Sequence, residues 1–285
     1  MRAAMPSFSI ARLFTMPGGA ALHNDVLYAY APPLLAFGVA LALGLAGRAT
    51  GARWPVAASG AVGALAGWMA LLPWTAALRA VLAPRAMADF LLLPAAAAAL
   101  AGLAASRLRG RAERWLPWAL MALVGWWLAR SATAQPEFWR VWLTIVLAAW
   151  LLARGVEGAG GRALAVGLAL WGALLQAGAP PVWIVTALVA AAASAAAWPL
   201  GGTLPPVLLA AAATAADLGS GRLVQGRLNA ADLACLLAPG AAWLVPRIAP
   251  GLAARFGRAG PVLAVPVAAA LTAGVAWLGV RLLHR

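Results

Sequence analysis

What most constrains this chain is its succession of apolar runs with little or no charge, each long enough for a helix, separated by short stretches that hold most of the arginines. Residues 26–47, VLYAYAPPLLAFGVALALGLAG, carry no charge at all. A helix rises 1.5 Å per residue, so a run of that length covers about the 30 Å of hydrocarbon in a bilayer. Ten such runs can be marked, at about 27–47, 55–78, 86–106, 115–130, 138–153, 163–178, 181–198, 203–219, 230–246 and 261–281. Hydrophobic residues make up 65% of the 285 and charged residues 10%, against about 25% charged in soluble domains. A soluble fold of this size cannot hide so much apolar side chain. The expected solvent is lipid. The expected fold class is all-α, a polytopic transmembrane helix bundle of about nine or ten spans.

The domain expectation follows. Residues 1–26 form an N-terminal tail or an interfacial helix, with Phe8, Ile10, Leu13 and Phe14 set around Arg12. Residues 27–285 form a single transmembrane domain. The loop ARGVEGAGGRA near the middle divides it into possible halves, 27–153 and 163–281, with five runs each. An odd number of spans per half would invert one half against the other.

The net charge of +14 comes from arginine alone, because the sequence contains no lysine. That removes P-loop and Schiff-base chemistry. The arginines stand singly or in small groups between apolar runs, which predicts anionic lipid headgroups as their partners rather than nucleic acid. Cys235 is the single cysteine, so no internal disulfide or thiolate pair can form, and His23 and His284 lie near the two ends. No cofactor and no resident metal are expected. The 21 arginines divide almost evenly between the two sides whether nine or ten spans are counted, so they leave orientation open. Arginine without lysine suits a GC-rich bacterial genome, and the expected location is the cell inner membrane, multi-pass.

Helix contacts are also legible. Gly63 and Gly67 form a GxxxG step, read as a close packing surface between helices. Trp115, Trp118, Trp126, Trp127, Trp139, Trp142 and Trp150 gather near run ends, as in an aromatic belt. Prolines and glycines recur at matching places of the two halves: Pro117 and Gly125 against Pro239 and Gly240, and Pro94 against Pro205 and Pro206. Such breaks line binding sites in inverted-repeat transporters. In size and layout the chain resembles the drug/metabolite transporter superfamily, which implies a permease. Asp89 and Gln176 are the polar candidates for its path, since an ionisable or amide group in a span is costly without a role. The sparse charge favours a small neutral or amphiphilic solute.

A second expectation rests on ADLGSGRLVQGRLNAAD, residues 216–232, which holds Asp217, Arg222, Arg227 and Asp232. As a solvated turn, it has Asn229 as helix N-cap, Asp232 at the positive end of the helix dipole and two arginines reaching for headgroups. As a catalytic site, two carboxylates with Mg2+ and two guanidinium forks hold a diphosphate. The stretch GRLVQGRLNAADLACLLAPG resembles, over about 20 residues, the loop of UbiA-type prenyltransferases. The resemblance implies a membrane-embedded transferase acting on a lipid-linked or prenyl diphosphate substrate. The aspartate cluster that defines that family is missing, with Asp217 alone upstream. A non-catalytic subunit of a membrane complex is a third expectation, needing only packing surfaces.

Overall fold

The computed structural model describes residues 22–71, 90–105, 111–129, 160–176, 179–202 and 204–219, with single positions between 139 and 150 and between 250 and 282. Among the described residues every regular element is a helix. In chain order these are α1 (Leu22–Thr50), α2 (Arg53–Met69), α3 (Leu92–Ala105), α4 (Arg111–Ala129), α5 (Gly160–Gln176), α6 (Pro181–Ala197) and α7 (Pro206–Gly219). A single 3-10 turn, Trp198–Leu200, follows α6.

The boundaries follow local chemistry. α1 has 29 residues and begins at Leu22, inside the stretch assigned to the tail. It ends where Gly51, with φ +67°, takes the left-handed conformation and its N–H reaches the Arg48 carbonyl at 3.3 Å. α6 ends in a Schellman motif: Gly202 N–H donates to the Ala197 carbonyl at 2.9 Å and Gly201 N–H to that of Trp198 at 3.0 Å. Gly201 supplies the positive φ of +86° that this motif needs. Pro206 opens α7 and Pro94 lies in the first turn of α3. At those positions a missing N–H costs nothing, so both prolines start helices instead of breaking them. Pro117 and Gly125 lie within α4, which continues through both.

Among the described residues, two stretches are long and apolar enough to cross a membrane, Ala29–Thr50 and Pro181–Leu200. Leu92–Ala101 and Trp118–Ala129 are shorter apolar helices. The third, sixth and eighth expected runs are helical over 14, 17 and 14 residues. The second is helical to Met69 and turns at Ala70 and Leu71. The runs at 230–246 and, save two positions, 261–281 lie outside the described residues.

Small residues bring the helices together. α2 packs against α1, α3 and α6, and α6 also packs against α1, α5 and α7. A Cβ on Gly63 would stand 2.6 Å from the Ala36 carbonyl oxygen and 2.7 Å from the Ala40 Cβ. On Gly67 it would stand 2.8 Å from the Pro32 carbonyl oxygen and 2.6 Å from Val189 Cγ1. The GxxxG step is therefore the contact of α2 with α1, and at Gly67 with α6 as well. α6 is buried nearly all round, from Trp183 to Ala197, as expected of a uniformly apolar helix at the centre of a bundle. Its two buried hydroxyls satisfy themselves: Thr186 Oγ1 donates to the Val182 carbonyl at 2.7 Å and Ser194 Oγ to that of Ala190 at 2.8 Å.

On α1 small side chains face the core and large ones face outward, whereas elsewhere large apolar side chains such as Trp68, Leu92, Leu170 and Leu208 fill the core. On α1 the small Ala36 and Ala40 are fully buried, whereas Leu34 is 69% and Leu45 51% exposed. Tyr30, Leu35 and Phe37 are exposed as well, and so are Trp115, Trp118, Leu123 and Trp126 on α4.

Candidate functional site

Two specific contacts fix the ends of the bundle. At one end Arg48, in the last turn of α1, donates from Nε to the Leu200 carbonyl and from Nη2 to that of Pro199, both at 3.2 Å. These carbonyls lie at the end of α6, so the guanidinium fork fastens α1 to the exit of α6. Gly202 sits beside them with no space for a side chain, its Cβ position 2.5 Å from Ser59 Oγ. Toward the other end, Trp68 is 2% exposed, and its indole N–H reaches the Thr186 carbonyl at 3.2 Å. That bond ties the last turn of α2 to the first turns of α6.

Gln176 is the last residue of α5, and Asp217 lies in the last turn of α7. α5 is followed within a few residues by α6, and α7 packs against both. The C-terminal end of α5 therefore lies on the side where α6 begins. Asp89, Arg222, Arg227 and Asp232 lie outside the described residues, as does Cys235. Phe90, next to Asp89, accepts the Trp127 indole N–H at its carbonyl at 3.1 Å, and the two rings are 5.7 Å apart.

The chain matches no family model, no curated protein and no solved structure.

The tryptophans divide into two groups. Trp115, Trp118, Trp126 and Trp139 stand exposed. Trp127 and Trp142 instead spend their indole N–H on backbone carbonyls, Trp142 on that of Ala122 at 3.2 Å. Trp142 also lies against Gly125, where an added Cβ would be 3.2 Å from its Cδ1. Part of the expected belt is thus helix–helix packing, which the cluster in sequence does not distinguish from an interface. The feature sequence reasoning missed is Pro32–Pro33. Both prolines lie inside α1 and both are buried. The signal was present as APPLL within an unbroken apolar run.

Proposed function

We propose that this chain is a polytopic transmembrane bundle, multi-pass in a bacterial inner membrane, that works as a permease for a small neutral or amphiphilic solute. The observation that carries the membrane assignment is the series of large apolar side chains on the outward faces of α1 and α4. Leu34, Leu45 and Trp115 point outward while Ala36 and Ala40 are buried. In water, exposing a series of large apolar groups forfeits roughly 1.5–3 kcal/mol each. In lipid it costs nothing, and small residues inside allow the close helix approach that holds a bundle together.

The permease assignment draws its support from one end of the bundle. Gln176, at the end of α5, lies on the side where α6 begins, and there α1 carries its buried proline pair, Pro32 packing at Gly67 beside Val189 of α6. Non-helical or broken backbone at membrane depth is tolerated where it is enclosed by protein or lines a cavity. A path of this kind offers amide and carbonyl groups and little fixed charge, which suits a neutral solute. Anionic lipid headgroups are the proposed partners of the arginines at the helix ends, Arg48 and Arg53 among them.

The test is solute flux in proteoliposomes over a panel of neutral probes such as glycerol and urea. Gln176→Ala and Asp89→Asn are expected to change flux at unchanged protein level. Unaltered flux in both variants would remove these residues from the path.

A further inference from the structure

A short turn joins α1 to α2, and the arginines on either side of it stand exposed: Arg48 in the last turn of α1 and Arg53 at the start of α2. Arg48 is also held in place. A guanidinium has five N–H donors. One on Nε and one on Nη2 bind the Leu200 and Pro199 carbonyls, which fixes the plane of the group and leaves its other donors unspent. Neither arginine has an acidic partner among the described residues, and the carboxylate nearest in sequence is Asp25, at the opposite end of α1. A third arginine falls at the same end of the bundle. A Cβ on Gly167 would stand 3.0 Å from the Ala191 Cα, and α5 ends on the side where α6 begins, so the two helices run antiparallel. Arg162, in the first turn of α5, is therefore level with the end of α6. Polarity around the turn is ordered by depth. Leu45, 51% exposed, lies one turn before Arg48 within Ala29–Thr50, the stretch long and apolar enough to cross a membrane, and Trp54, 40% exposed, follows Arg53. Alkyl side chain, indole and guanidinium thus follow one another as acyl chain, interface and phosphate do in a phospholipid.

We propose that this corner is a selective site for an anionic phospholipid, with Arg48 and Arg53 on the headgroup phosphate and Leu45 against an acyl chain. A guanidinium fork takes two phosphate oxygens at once. Arg48 arrives with its orientation already set by the α6 carbonyls, so binding does not have to order it. Two positive charges without a carboxylate favour a lipid of net negative charge over one whose phosphate is balanced by its own ammonium. The guanidinium that meets the headgroup is the one that fastens α1 to the exit of α6, so the lipid joins the contact that holds this end of the bundle. This inference rests on the membrane-embedded reading and adds to the general attraction of arginines for headgroups one defined site.

The experiment uses the full chain in liposomes, with Cys235→Ala as background and a bimane fluorophore on Leu45→Cys. Phosphatidylglycerol with brominated acyl chains, which quench the fluorophore, is mixed into unbrominated phosphatidylcholine, and the reverse mixture gives the comparison. Phosphatidylglycerol is expected to be preferred at this position by about 25-fold, about fivefold for each arginine. Arg53→Gln is expected to cut the preference about fivefold. Circular dichroism checks that this variant keeps its helices, and Arg53→Met serves if it does not fold. Inorganic phosphate in the buffer, matched in ionic strength with chloride, is expected to leave the preference unchanged. Equal quenching by the two lipids would overturn the site and leave the membrane assignment standing. An unchanged preference in the Arg53 variant would also overturn it. Loss of the preference in phosphate but not in chloride would assign the corner to a free ion and overturn the lipid site. No quenching by either lipid would instead overturn the membrane assignment, and the site with it.

Discussion

Gly67→Ala adds one methyl group where α2 meets α1 and α6 together. The added Cβ would lie 2.6 Å from Val189 Cγ1, 2.8 Å from Ala36 Cβ and 2.8 Å from the Pro32 carbonyl oxygen. Carbon atoms in contact prefer about 3.5–4.0 Å, so α2 has to withdraw by about 1 Å from α1 and α6 together. One of the three obstacles is backbone and cannot rotate away. Overpacking of this kind costs about 1–3 kcal/mol. Replacing a helical glycine by alanine returns about 1 kcal/mol of intrinsic propensity. The net expectation is destabilisation by up to about 2 kcal/mol. Gly38→Ala is the matched control: it lies in α1 with nothing within 4 Å of the added Cβ, so only the propensity gain operates. Equilibrium unfolding in mixed detergent micelles, followed by circular dichroism, compares the two with the parent. Gly67→Ala should unfold at lower denaturing-detergent fraction and Gly38→Ala at equal or higher fraction. Equal stability of the two variants would refute the claim that α2 is held by direct backbone contact at Gly67.

Other substitutions probe the two fastened ends and the core. Trp68→Phe keeps an aromatic ring but removes the N–H that binds the Thr186 carbonyl, and is expected to cost about 1 kcal/mol in the same unfolding assay. Arg48→Gln removes the fork on Pro199 and Leu200 and is expected to lower the melting temperature, with faster proteolysis at the α6–α7 corner. Thr186→Val is expected to be within about 0.5 kcal/mol of the parent, since the hydroxyl serves only its own helix at Val182.

The sequence made some of this legible for identifiable reasons. GxxxG at Gly63 and Gly67 predicted a packing surface because lack of a side chain has one dominant use between apolar helices. α6 could be placed over 181–198 because proline at one end and Trp-Pro-Leu-Gly-Gly at the other carry boundary chemistry, and the structure gives Pro181–Ala197. Helix length in the other runs was less legible. Apolar composition continues past the residue at which a helix ends, as at Met69, and hydropathy does not register the turn. The paired prolines misled in a specific way. Pro94 and Pro206 read as breaks within runs, but a proline in a first turn begins a helix. Pro32–Pro33, the pair that does lie inside a helix, stands within an uncharged apolar run, and hydropathy does not register it. For the polar candidates the structure describes helix positions at Gln176 and Asp217 alone.

The central claim is that the outward faces of these helices meet lipid. Spin labels at Leu34, Phe37 and Leu45 on α1, each introduced singly as cysteine in a Cys235→Ala background and reconstituted in liposomes, test it most directly by collision with oxygen and with a water-soluble nickel chelate. The account predicts strong oxygen and weak nickel relaxation at all three, with oxygen access deepest at Leu34 or Phe37 and falling toward Leu45, near Arg48. Strong nickel relaxation at these positions would place that face in water and contradict the membrane assignment.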